Sequence, residues 1–238
     1  GTENVAVGAL ALDANTTASG NSALGYSSLT ANTTGAANTA VGQSALQANT
    51  TANNNTAVGK SALVSNTTGH ENTAVGGIAL DACTTGSTNT AVGYNALGAQ
   101  ETAGGNTGVG YDALGANTTG SGLAACGSFA LDANTTGVDN SAMGQHALGS
   151  NTTGGANTAI GQVAGFDNTT GNTNIFIGKD SGRAGSPGGS NTTGSNSIFL
   201  GDDNAGNAYI QVAFSVASDK RDKTDVEPIK TGLDFVNK

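Results

Sequence analysis

The side chains of this sequence that could do chemistry are few and scattered. Its two histidines, His70 and His146, and its two cysteines, Cys83 and Cys126, have no second His, Cys or carboxylate at the spacing a metal site uses. No metal and no cofactor is expected. Polysaccharide cleavage would need a groove with two convergent carboxylates, yet the Asp and Glu residues are sparse and no pair recurs. Tyr26, Tyr94 and Tyr111 share one position after a glycine, where they could stack on sugars or cover apolar residues beneath; the covering role is expected. Of eight Lys and Arg, only Lys60 precedes residue 179, while Lys220, Arg221, Lys223, Lys230 and Lys238 crowd the end. With a net charge of -9 there is no basic stripe to neutralise phosphates, so nucleic-acid binding is disfavoured.

Composition points the same way. Charged residues make up 11% of 238 residues, 38 are Gly, two are Pro and none is Trp, against roughly 25% charged in an average soluble domain. Disorder is the rival for such a chain, but Val, Ile, Leu and Ala return here at fixed intervals, which disordered segments lack. No apolar run reaches the ~20 residues of a membrane span. The start, Gly1-Thr2-Glu3, lacks the features of a signal peptide, so an excised or processed piece is expected.

The elements that position these residues are set by an internal repeat. A pentapeptide of the NTAVG type starts at Asn4, Asn21, Asn38 and so on every 17 residues to Asn174, with Leu123 in place of one Asn. A twelfth copy, at Ser197, arrives six residues late, and the Gly/Ser/Pro-rich stretch 183–190 is the site of that insertion. Within each unit T-A-V reads as a short strand closed by Gly, and N-T-T-G as a turn. The A-L pair between them could be a second strand or one helical turn.

One repeat is then one coil, and parallel coils ~4.8 Å apart place every side chain on its own copy. The fold expected is all-β, a repetitive parallel β-solenoid or β-roll of about twelve 17-residue coils. Two apolar ladders are expected to form its core, one from Val7 to Leu200 through Cys126 and Met143, the other from Leu12 to Leu148. The residue between Thr and Val, from Ala6 to Ala159, is small throughout and is expected to face outward, against another copy of the chain. One coil buries too little to offset about 1.5 kcal/mol of ordering entropy per residue, so an elongated homotrimer is expected. The Asn15 to Asn168 series is expected to satisfy turn backbone and its own neighbours between coils. A calcium roll is excluded because this turn offers Asn and Thr where such repeats use Asp. The Asn-x-Thr sequons follow from the repeat and say little about glycosylation.

The NTAVG units resemble the NSVAIG-type repeats of trimeric autotransporter adhesin heads, and more closely the shafts of bacteriophage tail fibres or tailspikes. The resemblance covers roughly residues 1–205. After 206–217, an alternating stretch read as a terminal strand, Ala217-Ser218-Asp219-Lys220-Arg221-Asp222-Lys223 resembles the start of the intramolecular chaperone domain of tailspikes and endosialidases. That resemblance implies self-cleavage between Ala217 and Ser218, with Ser218 as nucleophile and Lys223 as its base. Asp222 stands where the family commonly has an apolar residue. Residues 218–238 would be a truncated beginning of that domain, so the cleavage belongs to a longer parent chain.

The resemblance further implies a virion tail-fibre location, other virion tail proteins as partners, and a host cell-surface glycan or protein as receptor, with no membrane insertion. A bacterial surface adhesin head and an ice-binding solenoid with regular Thr arrays are the alternative readings.

Overall fold

The computed structural model describes residues 1–186 and 188–202. Twelve three-residue strands form one parallel sheet in chain order: β1 (Val5–Val7), β2 (Ser22–Leu24), β3 (Thr39–Val41), β4 (Thr56–Val58), β5 (Thr73–Val75), β6 (Thr90–Val92), β7 (Thr107–Val109), β8 (Ala124–Cys126), β9 (Ser141–Met143), β10 (Thr158–Ile160), β11 (Ile175–Ile177) and β12 (Ile198–Leu200). The register is that of the repeat: Ala40 pairs with Ala57 and Ala74 with Ala91. Ile175 pairs with Ile198, so 183–190 is accommodated without disturbing the stack. The fold is an all-β parallel solenoid with one strand per coil.

Each strand is followed by a glycine at positive φ. Gly42 has φ +134°, and a Cβ there would run into the carbonyl of Gly59 one coil on. The A-L segment beyond it is neither a strand nor a helical turn. Its alternate residues sit in the left-handed region, Ser44 at φ 57° and Leu46 at φ 51°. This alternation lets Ser44 N–H donate to Tyr26 O in the preceding coil (2.9 Å) and Leu46 N–H to Ala62 O in the following one (3.0 Å). Left-handed non-glycine residues cost about 1 to 2 kcal/mol each; backbone bonding to both neighbouring coils offsets that.

The two faces of each strand are reversed from the sequence expectation. The central Ala points inward and is fully buried from Ala40 to Ala91, whereas Val92 and Val109 remain 36% exposed and Met143 58% exposed. The core is therefore the Ala column of the strands against the Leu12 to Leu148 column and the Ala preceding it, as in Ala45. The physical reason is width. At Gly108, where Ala is missing, a Cβ would sit 3.4 Å from Leu97 Cγ and 3.2 Å from Ala113 O, so the coil has room for a methyl and little more. Where the Leu column gives way to Gly165 and Gly182, the Ala column becomes Phe176, and its fully buried ring takes the vacated space. The Ala column is thus not a surface between copies of the chain.

Candidate functional site

The candidate site is the outer face of the sheet. With Ala turned inward, the first and third residue of every strand face out, and of these outward residues only Cys126 carries an ionisable group. One column is Thr in β3 to β7 and β10, with Val5, Ser22, Ala124, Ser141, Ile175 and Ile198 in the other strands; the other runs Val, Leu, Ile, Cys and Met. Val7, Leu24, Met143, Ile177 and Leu200 are among its exposed members. Eleven spacings of ~4.8 Å make this strip about 50 Å long. Along it Val41, Val58 and Val75 are half-buried, and the members toward both ends are exposed.

The remaining polar groups of the coil are tied into the fold. Asn49 Nδ2 donates to Asn32 Oδ1 at 2.9 Å and to Ala52 O at 3.1 Å, the amide ladder expected from the sequence. A second ladder, which sequence reasoning left without a role, is built by the Asn that opens each repeat. Asn72 Nδ2 donates to Gly86 O at 2.8 Å, while its Oδ1 accepts from Asn89 N–H at 3.0 Å. The signal for it was there, since the same carboxamide stands at every strand entry but those of Leu123 and Ser197. Among the sequon asparagines, Asn32, Asn49, Asn66, Asn117, Asn134, Asn151 and Asn168 are fully buried, so glycosylation machinery could not reach these in the folded chain, whereas Asn15 is half-buried and Asn54 exposed.

The paired threonines divide in function. The first donates to backbone one coil on, as Thr67 Oγ1 does to Thr84 O at 3.0 Å. The second, from Thr17 through Thr34 and Thr68 to Thr193, is exposed in every coil.

Tyr26, Tyr94 and Tyr111 are about half exposed, and none packs against the core, so the expected covering role fails: the Leu column is sealed by its own neighbours. Tyr94 and Tyr111 instead stack on each other (5.7 Å between centroids, 12°), and the series continues through Phe129, His146 and Phe166. Sequence reading missed this continuation because Phe129 lies 18 residues, not 17, after Tyr111. Arg183 lies over Phe166 and pairs with Asp180 at 2.9 Å, which holds the Asp180 carboxyl below its usual range. Stacked contacts, Tyr94 on Tyr111 and Phe129 on His146, alternate with edge-to-face ones, Tyr111 to Phe129 and His146 to Phe166.

His146 thus belongs to this ring series, and His70 lies 3.8 Å from Glu71 at the surface. Both cysteines are free; burial pushes the Cys83 thiol up to about 11. Desolvation also raises the carboxyls of Asp81 and Asp132. Among the described residues no three His, Cys, Asp or Glu side chains gather as metal ligands, and no helix is long and apolar enough to cross a membrane. Ala217, Ser218 and Lys223 lie outside the described residues. No protein-family model matches this chain, and neither a curated protein nor a solved structure matches it.

Proposed function

We propose that this chain is the shaft of a homotrimeric fibre, structural and adhesive, whose copies associate through the outward Val/Thr columns of the sheet. The observation that carries the proposal is the uncharged strip itself. At three residues wide and about 50 Å long it has a projected area on the order of 500 Å², which a trimer divides between the two neighbours of each copy. Resemblance of the repeats and of Ala217 to Lys223 to phage tail fibres supports a place in a virion tail, with attachment to a host-surface glycan or protein as the task. In a longer parent, Ser218 and Lys223 would release the chaperone after assembly. Light scattering tests the core of this reading: a mass near three times 22.9 kDa is expected, and a monomer at micromolar concentration would overturn it.

One observation favours a second reading, ice binding. The Thr17 to Thr193 column is exposed and regularly spaced. Thermal hysteresis of the purified chain would support it; its absence, with a trimeric mass, leaves the fibre.

A further inference from the structure

The geometry points to the segment β8 to β10 as the key that sets axial register between copies of the chain, with Met143 of one copy seated in the apolar depression of the next. This rests on the proposed association through the outer sheet face. A strictly periodic face cannot define its own register. Strands β3 to β6 are all Thr-Ala-Val, so sliding one copy past another by one coil, ~4.8 Å, again brings the same residue types together. Uniform strands are weakly specified in the same way within a sheet. A shaft with a defined length and defined ends needs an irregularity.

The face has one in its middle. Ala124 and Ser141 stand where β3 to β7 carry Thr, and Cys126 and Met143 where they carry Val; β1, β2, β11 and β12 depart from that pattern at the two ends. The shortened side chains leave an open depression of about 230 Å³ between Thr107 and Thr158, lined almost wholly by apolar atoms and far larger than the roughly 15 Å³ that one water needs. Met143 forms part of its wall and projects, 58% exposed against 36% for Val92 and Val109. Bump and hollow thus lie at the same height on the coil axis. Copies related by rotation about a parallel axis, without shift, bring the Met143 of each against the Ala124 to Ser141 hollow of its neighbour. An unbranched thioether chain adapts well to such a gap. A shift of two coils sets Met143 against Thr107 or Ile175 and leaves the hollow empty.

Cys126, on the same strip, reports the register. Mass by light scattering comes first, since a monomer would sink the association and this inference with it. For an assembled protein, mild oxidation and peptide mapping are carried out on mixtures with a chain carrying Val92→Cys and Cys126→Val, which reads a shift of two coils. Interchain pairs between two Cys126 thiols should exceed pairs between Cys126 and the thiol introduced at 92 by about tenfold or more. In the Ala124→Thr, Ser141→Thr, Met143→Val variant, which restores the pattern of β3 to β7 at those positions, that ratio should fall toward one at unchanged mass. A ratio near one in the unaltered chain, or a ratio the variant leaves unchanged, would overturn the register key while the association stands. If the triple variant misfolds by circular dichroism, Met143→Val alone gives the same reading, because it only shortens the bump.

Discussion

The carboxamide oxygen of Asn66 is buried without a hydrogen-bond partner because the next residue of its ladder, one coil on, is Cys83. Asn66 itself donates to Asn49 Oδ1 at 3.0 Å, so its oxygen addresses the following coil, where a thiol stands in place of an amide N–H. The thiol turns instead to Gly86 O at 3.5 Å.

Replacing Cys83 by Asn should therefore stabilise the chain. The new amide can donate to Asn66 Oδ1 and to the Gly86 carbonyl, as its counterparts do, and relief of one buried unsatisfied acceptor is worth about 1 to 2 kcal/mol. Thermal unfolding followed by circular dichroism checks this, with a midpoint a few degrees higher expected and an unchanged or lower one against it. The gain should also grow with alkaline pH. The folded thiol ionises near 11 rather than at its ordinary 9.0, so between those values the unfolded chain loses the proton first and stability falls as pH rises. That loss, roughly 2 kcal/mol across the window, is absent from Cys83→Asn.

The two kinds of polar residue in each turn should separate cleanly by mutation. Asn72→Ala removes a donor to Gly86 O and an acceptor for both Asn89 N–H and Asn89 Nδ2, all within the buried coil, and should cost about 3 kcal/mol. Thr68→Val, at an exposed position of the second Thr column, should stay within about 0.5 kcal/mol. Denaturant titration of both variants decides it; equal effects would mean that the strand-entry ladder does not hold the coils.

Ala91→Arg and Val92→Arg, one residue apart, should fail in different ways. Ala91 is fully buried, so Arg there must bury an unpaired charge in space fitted to a methyl, and a loss of about 4 kcal/mol or more with loss of β signal is expected. Val92 faces outward, so Val92→Arg should keep the circular dichroism spectrum and lower the assembled mass. A trimer that survives Val92→Arg would exclude the outer sheet face as the interchain contact.

In a longer parent chain carrying a complete chaperone domain, Ser218→Ala should leave that domain attached, and Lys223→Ala should slow its release, because the hydroxyl is a weak nucleophile until a base takes its proton. Intact mass spectrometry reads the outcome. Unchanged cleavage in Ser218→Ala would remove the autoprocessing proposal and leave the solenoid untouched.

The coil length, the in-phase strands, the site of the insertion at 183–190 and the Leu12 to Leu148 column were all written in the spacing of the sequence. Parallel stacking places like on like, and a period of 17 admits only one such register. Which side of the strand faces in was not written there. Val is the more apolar residue and Ala the smaller, and hydrophobicity alone assigns the core to Val. The interior width, fixed by Leu97 and its counterparts across the coil, decides for Ala and turns Val out to form the candidate site. The exchange of Ala and Leu for Phe176 and Gly165 follows from the same constraint: residues 11 positions apart share one volume, and only the closed coil brings them together.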